Sequence, residues 1–89
     1  MTSRTTQRFR KALATLPEEI RVRAWSAYRL FQQDPWHPAL QFKQVHPSEP
    51  VYSARIGRGY RALGVREADV VIWFWIGSHG EYDHLVTRL

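Results

Sequence analysis

Apolar residues recur along this chain first at a helical period and then at a period of two, and the change comes at residues 34–38. Phe9, Leu13 and Leu16 are spaced for one face of a helix over residues 7–16, with Arg8, Arg10 and Lys11 elsewhere on the wheel. Pro17 suits the first position of a second helix, and Glu18 and Glu19 follow where the positive end of the helix dipole favours carboxylates. Ile20, Ala24, Ala27, Tyr28 and Phe31 then form one apolar stripe. Arg21, Arg23 and Arg29 lie off it, and Asp34-Pro35 ends the helix. The stripe is the expected core face.

After DPWHP, Leu40 and Phe42 alternate with Gln41 and Lys43, as in a half-buried strand. A loop, HPSEP, precedes VYSARI, where Tyr52, Ala54 and Ile56 share one face and Val51, Ser53 and Arg55 the other. GRG and YRALGVRE complete a hairpin. Glu67-Ala68-Asp69 turns the chain into VVIWFWI, whose seven apolar positions predict a strand covered on both faces or central in the sheet. EYDHLVTRL closes the chain as a short helix. Short connections favour antiparallel neighbours. The expected class is α+β: one domain, residues 1–89, with two N-terminal helices on one face of a small antiparallel sheet of about four strands, and a short C-terminal helix.

Composition narrows the function classes. Four Trp, four Tyr and four Phe supply a compact core for a domain of 89 residues. The absence of cysteine excludes disulfides, thiolate catalysis and cysteine-based zinc sites. The first 17 residues hold no apolar run of signal-peptide length, and Val70–Ile76 is too short to span a bilayer, so the expectation is a soluble cytoplasmic protein. The net charge is +5, and 11 of the 13 basic residues are arginine. Arginine binds phosphate bidentately and stacks on bases, which points to nucleic acid or an acidic protein as partner. A basic, solvated surface is the plain alternative.

Two constellations could carry chemistry. If Gly57-Arg58-Gly59 is a three-residue loop, Ile56 pairs with Tyr60 and Arg55 stands opposite Arg61, on the face away from Tyr52 and Ala54. Like charges so placed cost stability unless an anion such as phosphate is received between them. The alternatives are side chains that splay into water, or a two-residue turn that separates them. Along the last strand, strict period two puts Trp73 and Trp75 on one face and Val70, Ile72, Phe74 and Ile76 on the other. The tryptophans would then be a stacking platform for bases, or pack under the terminal helix or a loop. His79, Glu81, Tyr82, Asp83 and His84 follow at the strand end. Their spacing matches no established metal-ligand pattern, so neither metal nor cofactor is expected.

Taken together, LPEEIRVRAWSAYRLFQQDPWHPALQFKQV, YSARIGRGYRALG and VVIWFWIGSHGEYDHL, in that order, resemble the RelE/ParE superfamily of bacterial type II toxins over residues 7–85. The resemblance implies a RelE-like fold and, in the RelE branch, metal-independent endoribonuclease cleavage of messenger RNA in the ribosomal A site, which inhibits translation. It implies catalytic roles for Arg61, His79 and Tyr82, with Arg55, Arg58 and Lys43 as RNA- and phosphate-binding groups. Ser53 stands where that branch has a further cation, the arginine at the end of the last strand is absent, and the family's first strand is missing or reduced to residues 1–5. In the ParE branch the same fold inhibits DNA gyrase by contact, and a degenerate member would only bind a partner. All three imply a cognate antitoxin; the further partners are the ribosome and messenger RNA, or gyrase.

Overall fold

Helices α1 (Gln7–Ala14) and α2 (Glu18–Gln33) form where the helical spacing predicts them in the computed structural model, which describes residues 1–88. Thr6 caps α1 by accepting a hydrogen bond from the Phe9 amide at 3.0 Å. Pro17 stands one position earlier than expected, as the N-cap of α2, with Glu18 and Glu19 in the first turn. Ile20, Ala24 and Phe31 of the stripe are buried, and Ala27 and Tyr28 are half-buried.

The sheet has five strands rather than four, in the order β1-β5-β4-β3-β2: β1 (Thr2–Thr5), β2 (Lys43–Gln44), β3 (Val51–Gly57), β4 (Tyr60–Glu67) and β5 (Val70–Ser78). Strand β1 runs parallel to β5, and the other pairs are antiparallel. Its sequence, TSRT, has no apolar residue to announce a strand. Backbone bonds hold its ends instead, Thr2 N–H to the Asp69 carbonyl at 2.6 Å and Thr6 N–H to the Trp73 carbonyl at 3.0 Å.

Two strand expectations need correction. Leu40 and Phe42 are core residues, 2% and 8% exposed, yet neither is in a strand: Pro38–Leu40 forms a 3-10 turn, Gln41 takes a left-handed φ of 46°, and β2 covers only Lys43–Gln44. The alternation reflected two anchors on either side of a bend. In the hairpin, Arg55 does face Arg61, but Gly57 rather than Ile56 pairs with Tyr60 across a two-residue turn, with a register shift between Arg55 and Gly57. The irregularity absorbs the difference in loop length and preserves the arginine pair.

A second register shift decides which way β5 faces. Leu63 pairs with Trp75 and Gly64 with Trp73, which leaves Phe74 as an extra residue on β5. The face alternation inverts there, so Val71, Trp73 and Ile76 all enter the core beneath α1 and α2, and the two tryptophans do not share a face. Trp73 is 5% exposed, with Phe31 edge-on at 5.4 Å, and forms no open platform. Trp75 lies against Gly77, on the face of Arg61 and Leu63; a Cβ on Gly77 would meet its ring at 2.6 Å.

Helix α3 (His79–Val86) covers part of that second face, against β4 and β5. It begins at His79, not at Glu81, because Ser78 and Glu81 form a capping box. Leu89, at the end of the expected closing helix, lies outside the described residues. No helix among the described residues is long and apolar enough to cross a membrane.

Gly64 lies in buried β4, and a Cβ there would meet Val71 Cγ1 at 2.7 Å and Trp73 Cε3 at 2.8 Å. Both neighbours are core side chains with little freedom to move. Gly64→Ala is therefore expected to destabilise the fold by about 1–3 kcal/mol, read as a lower urea midpoint at unchanged slope.

Candidate functional site

Strand register brings the candidate residues to the face of the sheet opposite α1 and α2. Arg55 is paired with Arg61, and Lys43 with Ser53. Tyr82 reaches this face from the first turns of α3. Arg55, Lys43 and Arg58 are exposed, Arg58 at the hairpin tip. Arg61 is 4% exposed, the one buried cation among the described residues.

The hydrogen-bond acceptors on Arg61 are all neutral. Nη1 donates to Gln41 Oε1 at 3.0 Å, and Nη2 donates to the Gln41 carbonyl at 3.2 Å and to Ser53 Oγ at 3.0 Å. The Tyr82 ring lies under the guanidinium, its centroid 5.0 Å from the central carbon, which is cation–π distance. The Tyr82 hydroxyl donates to the same Ser53 Oγ at 3.1 Å. Nε is buried without a partner. Burial pushes the Arg61 pKa below its ordinary value; the neighbouring Tyr82 acts in the opposite direction, the Arg55 charge adds to the lowering, and the Asp83 carboxylate, which forms no ion pair with Arg61, offsets it slightly.

Ser53 is thus the hub on which arginine and tyrosine meet, fully buried at 0% exposed. Its place in the alternating strand marked it as facing Arg61, but not as their shared acceptor. Ser53→Ala leaves the Tyr82 hydroxyl and one Arg61 N–H without an acceptor in a dry environment. The expected cost is about 1–3 kcal/mol, measurable by chemical denaturation. Gln41 carried no signal at all, since in the expected strand it was an outward-facing polar residue.

His79 stands at the rim of the same face. Its ring lies 5.8 Å from that of Tyr82, and its Nε2 lies 3.4 Å from the Asp83 carboxylate, both side chains being more than half exposed. Its amide donates to the Gly59 carbonyl at 2.7 Å, tying the start of α3 to the hairpin turn beside Arg58. Arg61, Tyr82 and His79 therefore form a continuous row, with Arg55 across the strand from its buried end. Tyr82 itself is 6% exposed, so its hydroxyl is engaged inside the fold rather than presented to solvent. His37 and His46 lie elsewhere, each accepting local backbone amides through Nδ1. Among the described residues, no three His, Cys, Asp or Glu side chains gather as a metal site.

The sequence profile of the ParE-like toxin domain matches residues 18–84, the span that contains this row. The chain belongs to the ParE-like toxin family. This ParE-like chain also superposes on solved toxin structures along nearly its whole length. The antitoxin–toxin complex RelB-RelE from Methanococcus jannaschii matches with a TM-score of 0.73 at 20% identity, covering 91% of this chain and 96% of that one. The RelE-RelB complex from Pyrococcus horikoshii gives 0.71 at 18%, covering 89% and 94%. The isolated RelE toxin of E. coli gives 0.62 at 18%, covering 98% and 96%. At these identities the likeness establishes a RelE-like α+β fold for the ParE-like chain. No curated protein matches it by sequence.

Proposed function

We propose that this chain is the toxin of a toxin–antitoxin module and acts as a metal-independent endoribonuclease on ribosome-bound messenger RNA, inhibiting translation. One observation carries the reading: a buried arginine with neutral partners only, in line with an exposed histidine and flanked by further cations. In the cleavage step, the RNA 2′-oxygen forms a bond to phosphorus as the bond from phosphorus to the 5′-oxygen breaks. A 2′,3′-cyclic phosphate and a free 5′-hydroxyl result. With His79 Nε2–H turned to Asp83, Nδ1 takes the 2′-hydroxyl proton, and water supplies the proton to the departing 5′-oxygen. Arg61 stabilises the charge building on the phosphate oxygens. Arg55, Arg58 and Lys43 hold the neighbouring backbone, and Tyr82 supports the Arg61 guanidinium. The cognate antitoxin is the expected partner; the RelB-RelE complexes among the similar structures support it.

A second reading, inhibition of DNA gyrase by contact, is favoured by a different observation: apart from Arg61 Nε, the polar groups at the buried end of the row are bonded within the chain. Primer extension on messenger RNA after induced expression separates the two. Discrete cuts in translated RNA support the nuclease. DNA-damage signalling with intact messages supports gyrase inhibition, and harmless expression supports neither.

A further inference from the structure

Gln41 combines features that nothing in the sequence pattern links. Its backbone holds a left-handed φ of 46°, which a residue with a side chain adopts at a cost. That bend aims both of its oxygens at Arg61, the amide Oε1 at Nη1 and the carbonyl at Nη2. Gln41 is exposed, whereas Ser53, the third acceptor, is fully buried. Two of the three bonds on the guanidinium therefore come from a surface residue.

None of these acceptors is charged. A buried arginine is ordinarily paired with a carboxylate, because an unpaired charge in a dry site is costly. Among the described residues no carboxylate forms an ion pair with Arg61. A glutamate at position 41 would supply one with nearly the same shape, so glutamine preserves a charge that an otherwise isosteric residue would cancel.

We infer that Gln41 is a positioning residue that clamps Arg61 through neutral acceptors, leaving its charge available to a phosphate oxygen that displaces the Gln41 amide. Ser53 and Tyr82 keep the guanidinium in plane from the buried side. The Gln41 side chain turns into water, where its amide is solvated at no loss, and the anion takes a stronger, charge-assisted hydrogen bond. The clamp rests on the reading of this face as a phosphate site, and it is tested without RNA cleavage.

The experiment is a thermal-shift titration of the full chain with inorganic phosphate, at ionic strength held constant with chloride, on wild type, Gln41→Glu and Gln41→Gly. Wild type is expected to melt higher as phosphate is added. Gln41→Glu is expected to start higher than wild type, by about 4 °C or more, to show no phosphate-dependent rise, and to lose its advantage on acidification as the new carboxylate protonates. Gln41→Gly tolerates the left-handed backbone, keeps the main-chain acceptor that holds the guanidinium and removes the amide that phosphate has to displace, so it reaches half of its rise at a lower phosphate concentration than wild type, whatever its starting Tm. A full phosphate shift in Gln41→Glu, an unchanged or lost phosphate response in Gln41→Gly, or no shift in wild type would each overturn the clamp. If Gln41→Glu does not fold, the Gly arm decides alone. A wild-type chain that shifts with phosphate yet leaves messenger RNA intact would remove the nuclease reading and keep the clamp.

Discussion

His79→Ala is expected to lower messenger RNA cleavage by about two to four orders of magnitude, the usual contribution of a positioned general base, and to relieve growth arrest while leaving the fold intact. The stability side follows from where His79 sits. Its side chain is exposed, its pairing with Asp83 is a surface contact of small worth, and the bond that ties it to the hairpin comes from its backbone amide, which alanine keeps. Alanine is also well suited to the first turn of a helix capped by Ser78 and Glu81. Activity and stability should therefore separate cleanly, in cleavage assays on ribosome-bound RNA and in thermal melts. His84→Ala, an exposed histidine outside the row, is the control and should be silent in both. Undiminished cleavage by folded His79→Ala would remove the histidine from the mechanism.

The largest stability effect is expected at Phe31. It is 2% exposed and stands edge-on to Phe42 at 5.0 Å and to Trp73 at 5.4 Å, where α2, the bend before β2 and the central part of β5 converge. Removing the ring takes away buried area, the edge-to-face contacts and the contents of a site that surrounding aromatics are too rigid to refill. Phe31→Ala is expected to cost about 3–5 kcal/mol, a large part of the roughly 5–15 kcal/mol that a domain of this kind commands. In circular-dichroism melts this appears as a fall of more than about 12 °C. A loss under about 1 kcal/mol would mean that the core is centred elsewhere.

The features behind these predictions were not equally legible in the sequence. Phe31 was, because five apolar residues at helical spacing with arginines off the stripe leave one way to bury α2. The Arg55–Arg61 pairing matched the expectation by another route, because the turn has two residues rather than three and an irregularity at Ile56, which no residue count reveals, restores the pair. The facing of Trp75 was not legible: VVIWFWI is apolar at every position, so no polar residue marks where the alternation inverts. Strand β1 was hidden from the apolar pattern for the opposite reason, being polar throughout and held by backbone bonds and by its Ser3 contacts with Tyr28 and Trp73; only the family resemblance left room for a reduced strand in residues 1–5, where β1 lies. Gln41 was invisible because its role comes from a left-handed backbone angle, and in the sequence it merely alternated with its neighbours.

The extra residue at Phe74 makes the strand a two-phase element. Before it, odd-numbered residues point to the helical layer; after it, even-numbered ones do, and this second phase leads through Gly77 and Ser78 into His79. Removing one residue at this point would swap inside for outside in everything that follows, driving Ile76 toward Tyr82 and turning the mouth of α3 away from Arg61. The distance between the buried cation and the rim histidine is thus written into the chain as a tally of residues, and that tally would tolerate substitutions of size and polarity far better than a single insertion or deletion.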